Sequence, residues 1–472
     1  MHTTGWSQDL SVDIGGRDVI NHAGTAAVRL IADRTGLTAG LSRALARPGF
    51  LPVHDRGRVL ADTAVLIADG GRVLSDLAIL RDQGELYGSI ASDPTLWRAL
   101  DEIGQPQHRT IARARARTRE HVWSLIAQRH GRIPPSRMAG DDLGKTIVVR
   151  MDASLVPAHS DKELAAGTFK GTWGHHPLMA WCDNTGESLA LLLRQGSAGS
   201  NTVTDHIDVL DQAITQIPAR YRRDLLITVD GAGASHGLVD HITQLNASPW
   251  RSVHYSIGWD LGARERAAIG HVPASAWDHV LDTDGAARDP GEAGVVELTA
   301  VLREGPDGDQ LASWPTDLRI LCRREKPHPG AQLSLFEQID GWRYQLTATN
   351  TPSKTAQFLE ARHRPHARVE DRIRCGKQTG LGHLPSASIG INRAWCLAAT
   401  IAADLLCWLR LLCLDGSLAA AEPKTLRYRL LHTAVRIVRG QRKRKLRIPE
   451  TWPWAEQLRA CLLAALALPP PT

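Results

Sequence analysis

The spacing of apolar residues predicts helices in the first part of the chain. From residue 1 to about 140, apolar residues recur at helical spacing in short segments that Gly and Pro separate. Residues 27–45 have the pattern of two helices joined by a tight turn at Gly36, with Thr38 expected to cap the second helix. This is the spacing of a helix-turn-helix, a motif that also occurs in proteins that do not bind DNA.

The pattern changes to strands after residue 140. A β-branched run predicts a buried strand, two apolar runs around a DNTG turn predict a hairpin, and two helices alternate with two more strands. The order strand, hairpin, helix, strand, helix, strand is that of a ribonuclease-H-like sheet. The predicted elements are, in that order, 145–156, 178–194, 203–214, 225–230, 235–245 and 251–259.

Together with the rest of the chain, this order predicts an α/β protein with a ribonuclease-H-like core that contains a β-rich insertion. Helical N- and C-terminal regions flank the core. Repeated Gly, Pro and Asp turns separate strand-like pieces within the insertion. A basic run, RGQRKRKLR, lies in the C-terminal region. The predicted divisions are 1–140 (helical, DNA-binding), 141–260 (core, first part), 261–360 (β-rich insertion), 361–415 (core helices) and 416–472 (helical, basic).

The amino-acid composition indicates the cellular compartment and the class of binding partner. The formal charge is +6, and only 9 of the 56 basic residues are Lys. Arg has a planar fork that suits phosphate and guanine, although a GC-rich genome also favours Arg. Seven cysteines without a CxxC pair and an N-terminus without a leader pattern predict a reduced, cytoplasmic protein. Charged residues interrupt the apolar segment 389–414, so no membrane span is expected.

An Arg-rich helix is predicted at residues 108–121, where five Arg have few acidic partners. Such a stretch is a solvated helix in many proteins, but contact with phosphates is the favoured interpretation. Arg113 and Arg117 are therefore candidate DNA-binding residues.

Two aspartates follow apolar strands that are predicted to be neighbours. Asp152 ends the strand VVRMD, and Asp230 ends ITVD. Each could simply cap the element that follows. Side by side, however, the two carboxylates would repel each other unless a divalent cation neutralised them, and oxygen ligands of this kind select Mg²⁺ or Mn²⁺.

A third acid is needed for a site that holds two metal ions, and residues 362–377 offer Glu370. A helix through this segment, with Pro365 near its first turn, would place His366, Glu370 and Lys377 along one face. A salt bridge between Glu370 and Arg374 is the alternative role for this acid.

The combination resembles the insertion-sequence transposases of the DDE group 1 type. The resemblance is carried by GTFKGTWGHHPLMAWCDNTGESLALLLRQGSAGSNT at 167–202, by ITVDGAGASHG, and by a late Glu followed seven residues on by Lys. It implies that Asp152, Asp230 and Glu370 are catalytic residues that bind two Mg²⁺ or Mn²⁺ ions. The Tyr and Arg of the signature of such transposases around the third acid fall on His363 and His366, while its Glu and Lys match.

The resemblance also implies the partners and the reaction. His363, His366, Arg374 and Lys377 are the expected DNA contacts near the third acid. The expected reaction is Mg²⁺-dependent cut-and-paste transposition, either through a hairpin intermediate or by direct strand transfer. The expected partners are terminal inverted repeats and target DNA, bound by a homodimer. The two alternatives are an inactive DNA-binding descendant of a transposase and a structure-specific endonuclease with the same core.

Overall fold

The N-terminal part of the protein is helical, as the apolar spacing predicts. The computed structural model describes residues 10–15, 18–158, 161–199, 202–305, 311–440 and 443–471. A short strand and seven helices come first: β1 (Val19–Ile20), α1 (Thr25–Arg34), α2 (Leu37–Leu45), α3 (Arg56–Asp69), α4 (Ala78–Arg81), α5 (Gly84–Tyr87), α6 (Asp93–Asp101) and α7 (Gln105–His130).

The turn predicted between the first two helices is present at Gly36. Its φ of +78° is a left-handed conformation that side chains rarely adopt, and an added Cβ would lie 2.6 Å from Cγ of Pro471. Helix α2 begins at Leu37 with Gly36 as its cap, so the predicted Thr38 cap is wrong. The Thr38 hydroxyl instead donates a hydrogen bond to Asp33 (2.6 Å).

Five strands of the core form a ribonuclease-H-like sheet. They lie in the order β9, β8, β4, β10, β11; β8 is antiparallel to both β4 and β9, while β10 is parallel to both β4 and β11. The elements of this part are β2 (Arg137–Met138), β3 (Asp141–Asp142), β4 (Ile147–Ala153), β5 (Val156–Pro157), β6 (Ala166–Gly167), β7 (Trp173–His175), β8 (Leu178–Cys182), β9 (Ser188–Leu192), α8 (Val203–Gln216), β10 (Asp224–Val229), α9 (His236–Asn246) and β11 (Ser252–Trp259).

The strands of the predicted insertion continue this same sheet. Strand β15 pairs antiparallel with β11, and β14, β13 and β12 follow, which makes nine strands in all among the described residues. One strand-like piece of the sequence, residues 294–302, is predicted as a single strand but forms a shorter strand followed by a helix. The elements are α10 (Ala263–Gly270), β12 (Asp278–His279), β13 (Ala293–Glu297), α11 (Thr299–Glu304), β14 (Arg319–Glu325), α12 (Leu335–Asp340) and β15 (Arg343–Thr349).

Three helices then return to the core: α13 (Ala356–His363), α14 (Arg368–Gly376) and α15 (Ile389–Cys413). In the described part of the chain, α15 is the one helix long and apolar enough to cross a membrane, but 78% of its most apolar window is buried inside the protein. Its length and composition are therefore explained by packing in the core, as the sequence predicts.

A buried cluster of charges joins α7, the DNTGE turn and α15. Glu187 is fully buried and accepts hydrogen bonds from Arg119 (2.8 Å), Trp123 (2.6 Å) and Trp408 (2.7 Å). Asp404 on α15 accepts from Arg119 (2.6 Å) and from Arg115 on α7. Each buried charge thus faces an opposite charge, as the low dielectric of a protein interior requires.

The C-terminal region was expected to be helical throughout, and this expectation is wrong for the basic run. Residues 439–447 belong to a β-hairpin, except that residues 441 and 442 lie outside the described part. Val435 and Ile437 are buried at every second position, a strand period that sets the structure here. The elements are α16 (Gly416–Ala419), α17 (Pro423–Leu426), β16 (Val435–Gly440), β17 (Lys443–Arg447) and α18 (Ala455–Ala467).

Two histidines and an aspartate hold this hairpin against the N-terminal helices. Strand β1 pairs with β16, and at their base Nδ1 of His22 lies 2.6 Å from Oδ2 of Asp69 at the end of α3. Nε2 of His432 lies 2.8 Å from the Asp69 carbonyl and 3.3 Å from its carboxylate. Burial opposes ionisation, but the two histidines lower the pKa of Asp69 to about 2, and Asp69 in turn raises the pKa of His432.

We expect stability to fall at high pH because of His432. Its raised pKa stabilises the fold fully below about pH 6.5, and this contribution disappears as pH rises through the raised value. Asp69 contributes in the opposite sense, since its lowered pKa matters only as pH falls below about 4. Urea unfolding between pH 5 and 9 should show a loss of less than about 1 kcal/mol that His432→Gln abolishes.

The control for this measurement is His54→Gln, because the His54 side chain has no hydrogen-bond partner among the described residues. This variant should keep the pH dependence of the wild type. A His432→Gln variant with the same pH dependence as the wild type would contradict the assignment.

Candidate active site

Asp152 and Asp230 lie at matching positions on adjacent parallel strands. Met151 of β4 pairs with Val229 of β10, and each aspartate is the next residue of its chain segment. Asp152 is half-buried and accepts a hydrogen bond from the Ala153 backbone (2.7 Å), while Asp230 is exposed. The carboxyl ends of the two strands therefore bring the two acids to one edge of the sheet, as the sequence predicts.

Two other carboxylates act on Asp152. Burial and the carboxylates of Asp230 and Glu370 raise its pKa to about 7. Glu370 therefore acts on Asp152, although it lies more than 200 residues away in sequence, because α14 packs against β4. Neighbouring carboxylates that raise the pKa of Asp152 in this way fit a divalent cation, which would neutralise the repulsion.

The third acid lies at the rim of this group. Glu370 is exposed in the first turn of α14. The oxygens of the three carboxylates do not all lie within 4.8 Å of one another in the described structure, so they surround an open space rather than form a closed cluster. The metal site and the catalytic role of Asp152, Asp230 and Glu370 stay predictions. The observation that favours these predictions is the action of two carboxylates on the third.

His366 does not lie on one exposed face with Glu370 and Lys377, because its ring is buried while Glu370 and Lys377 are exposed. A 3₁₀ turn, Arg364–Ala367, separates α13 from α14 at Pro365, and a π turn, Lys377–Leu381, follows. The His363 ring lies 2.9 Å from the Ser256 hydroxyl, and the His366 ring lies 3.0 Å from the Thr228 hydroxyl.

Both histidine rings are neutral at ordinary pH. Burial and the nearby Arg150 guanidinium lower the pKa of His363 to about 4, and burial and His363 lower that of His366 to about 3. The Arg150 guanidinium also contacts the Thr228 hydroxyl (3.3 Å), so β4, β10 and the turn before α14 are joined by one polar chain. These contacts favour a positioning role for the two histidines under α14.

The two cations near Glu370 differ in their surroundings. Arg374 donates two hydrogen bonds to Glu422 (both 2.7 Å) and one to Asp371 (3.0 Å), so its predicted alternative partner, Glu370, is not used. Lys377 is exposed without an ion pair in the described chain; partial burial and the ammonium of Lys170 lower its pKa. Two neighbouring ammonium groups that have no ion pair in the described chain are suited to one phosphate.

The sequence pattern of the family described as "Transposase DDE domain group 1" matches residues 3–469. The chain belongs to this transposase family. No curated protein matches the chain. Among solved structures it is similar to the cryo-EM structure of a piggyBac transposase synaptic complex with hairpin DNA, at 10% sequence identity and a TM-score of 0.41, over 88% of this chain and 81% of that chain.

The arginines of α7 divide into two sets in the transposase. Arg113 and Arg117 are exposed, one helical turn apart, and neither has an ion pair in the described structure. Arg115 and Arg119 point inward to the buried acids. The two residues predicted to bind DNA thus have guanidinium groups without an ion pair in the described structure, while two of the five arginines of the basic stretch pair with buried acids.

A cleft of about 650 Å³ opens beside Asp230 in the transposase, and Glu325 and Glu360 also line it. Glu360 is buried, pairs with Arg364 (2.9 Å) and Arg323 (3.5 Å), and has a pKa raised by burial. Asp260 follows β11, and its Oδ1 lies 3.6 Å from where a Cβ on Gly231 would be. The same pattern that indicated Asp230, an apolar strand followed by Asp, was available for Asp260.

Proposed function

We propose that the transposase catalyses cut-and-paste transposition of an insertion sequence, with Asp152, Asp230 and Glu370 as its catalytic carboxylates and as ligands of two Mg²⁺ or Mn²⁺ ions. The observation that carries the proposal is the convergence of three carboxylates at the ends of parallel strands β4 and β10. The ions, when bound, would neutralise charge on the attacking and leaving oxygens.

The reaction has two chemical steps. In the first, the oxygen of a water molecule bonds to phosphorus at the element end, and the bond from phosphorus to the 3′ oxygen breaks. The oxygen that leaves takes a proton and becomes a 3′-hydroxyl. In the second, the oxygen of this hydroxyl gives up its proton and bonds to phosphorus in the opposite strand, which gives a hairpin, or in the target DNA. The bond from that phosphorus to its own 3′ oxygen breaks, and this oxygen takes a proton and becomes a new 3′-hydroxyl. No side chain needs to act as a nucleophile.

The transposase's own residues hold the DNA for these steps. Lys377 and Lys170 would bind the phosphate next to the one that reacts, because neither ammonium group has an ion pair in the described structure. His363 and His366 would position α14, and with it Glu370, through their contacts with β10 and β11. Arg113 and Arg117 would bind phosphates of the terminal repeat, and two copies would pair the two ends.

The decisive experiment incubates the purified transposase with Mg²⁺ and the DNA that flanks its own gene. Hairpinned or joined products would support transposition. Nicks without joined products would instead favour a structure-specific endonuclease, and binding without cleavage would favour an inactive descendant of a transposase. EDTA should abolish every product, since the carboxylates alone cannot offset the charge of the phosphate.

The α7 surface is tested by Arg113→Ala combined with Arg117→Ala. Loss of two phosphate contacts should reduce the slope of log affinity against log salt concentration by about 2, equally for unrelated duplex sequences. Fluorescence anisotropy between 50 and 200 mM salt measures this slope. Thermal unfolding should not change, because both side chains are exposed and unpaired; an unchanged slope would remove α7 from the DNA-binding surface.

A further inference from the structure

The hairpin β16–β17 has one apolar face and one cationic face. Its inner face, with Val435 and Ile437, packs against Ile20 of β1 and Ala23. Side chains alternate between the two faces of a strand, so Arg436 points away from this core. The outer cationic face, which we call the basic ribbon, consists of Arg436, Lys443, Lys445 and Arg447.

The basic ribbon places like charges directly opposite each other. Arg436 of β16 pairs in register with Arg447 of β17, and Lys445 and Lys443 lie on the same face. Directly opposed like charges destabilise a strand pair by a few tenths of a kcal/mol or more. No carboxylate of the described residues forms an ion pair with any of the four. The fold therefore retains opposed like charges that destabilise it, and an anionic partner would reduce the repulsion between them.

Cations on the inner face of the same hairpin are treated differently. Arg439 forms an ion pair with Glu85 of α5, and Arg444 donates a hydrogen bond to the Glu85 carbonyl. The basic run is therefore not uniformly solvated. Two of its arginines attach the hairpin to the N-terminal helices, and the four outer cations are left without a partner.

We infer that the basic ribbon is a binding surface for the phosphate backbone of duplex DNA. The four cations extend over roughly 14 Å, at about 3.4 Å per residue. A duplex of that length carries about eight phosphates, and its major groove admits a two-stranded ribbon. The inference rests on the proposed function only in its choice of DNA as the anion. It also adds the C-terminal hairpin to the N-terminal helices as part of one DNA-binding region, since β1 pairs with β16.

The test replaces the opposed pair, Arg436→Gln with Arg447→Gln, in the full-length protein. Binding to 30-base-pair duplexes of unrelated sequence is measured in EDTA, so that no cleavage occurs. We expect affinity at least about tenfold weaker, a salt slope smaller by about 2, and a melting temperature equal to or above that of the wild type. A purely structural role would instead lower the melting temperature, and no other group of variants combines weaker binding with greater stability.

The matched control is Arg251→Gln with Lys354→Gln, which removes two exposed cations that have no ion pair in the described chain. This control should bind DNA as the wild type does. Unchanged affinity and an unchanged salt slope in the ribbon variant would overturn the inference. A larger loss of affinity for single-stranded RNA of the same length than for duplex DNA would also overturn it. A wild-type protein that binds duplexes but does not cut its flanking DNA contradicts only the proposed function, so the two failures are distinguishable.

Discussion

Replacing Asp152 with Asn should reduce DNA cleavage by at least about a thousandfold, equivalent to about 4 kcal/mol of transition-state stabilisation, while duplex binding is retained. Asn has the same size as Asp, and its Oδ1 can still accept the hydrogen bond from Ala153. The substitution therefore removes a negative charge without disturbing the strand. Cleavage of labelled end DNA on denaturing gels, beside anisotropy for binding, separates the two effects.

Helix α14 supplies a matched pair of variants for the third acid. Glu370→Gln should lose cleavage as Asp152→Asn does, because Glu370 is the acid of this helix that acts on Asp152. Its neighbour Asp371 is 70% exposed and pairs with Arg374, so Asp371→Asn should cleave DNA normally. Equal activity of the two variants would show that Glu370 is not the third acid, and Glu360 would then be the next residue to replace.

Replacing Glu187 with Ala should destabilise the fold by about 3–5 kcal/mol, because it leaves a fully buried charge without its partner. Arg119 would keep only Asp404 as an ionised partner, and the indole N–H groups of Trp123 and Trp408 would lose their acceptor. Urea denaturation measures the change in the free energy of unfolding.

A second substitution distinguishes this electrostatic effect from a loss of packing. Arg119→Met in the Glu187→Ala background should recover part of the lost stability, because it removes a buried cation that has lost one of its two carboxylate partners. Glu120→Ala, on the exposed face of the same helix, should change stability by no more than about 0.5 kcal/mol. A double variant as unstable as the sum of the two single variants would argue against coupling between the buried charges.

The strands that carry the two aspartates could be predicted because each is a short run of apolar, β-branched residues that ends at the acid. The third acid could not be placed in the same way. Its position depends on the 3₁₀ turn at Pro365 and on the contact of α14 with β4. How the turn and this contact place Glu370 is not a local property of the sequence. The buried polar chain through Thr228 and His366 likewise joins residues 138 positions apart.

Whether an arginine of α7 is exposed or buried also depends on residues far away in the sequence. Arg113 and Arg119 look alike in the sequence, but Arg119 finds Glu187 and Asp404, which lie 68 and 285 positions away. The basic hairpin is a different case, because its signal was present. Val435 and Ile437 flank Arg436 at the strand period, a local pattern that indicates a strand.

The continuity of the nine-stranded sheet has a mechanical consequence. Strands β14 and β15 are tied to the catalytic strands through the backbone ladder between β15 and β11, in which Ser256 is opposite Thr349 and Trp259 is opposite Leu346. A ladder of this kind does not act as a hinge, since bending it would break several backbone hydrogen bonds at once. Strands β13, β14 and β15 should therefore form a stiff extension of the strands that precede Asp152 and Asp230, and the adjustments that admit DNA should come from the helices and turns around them.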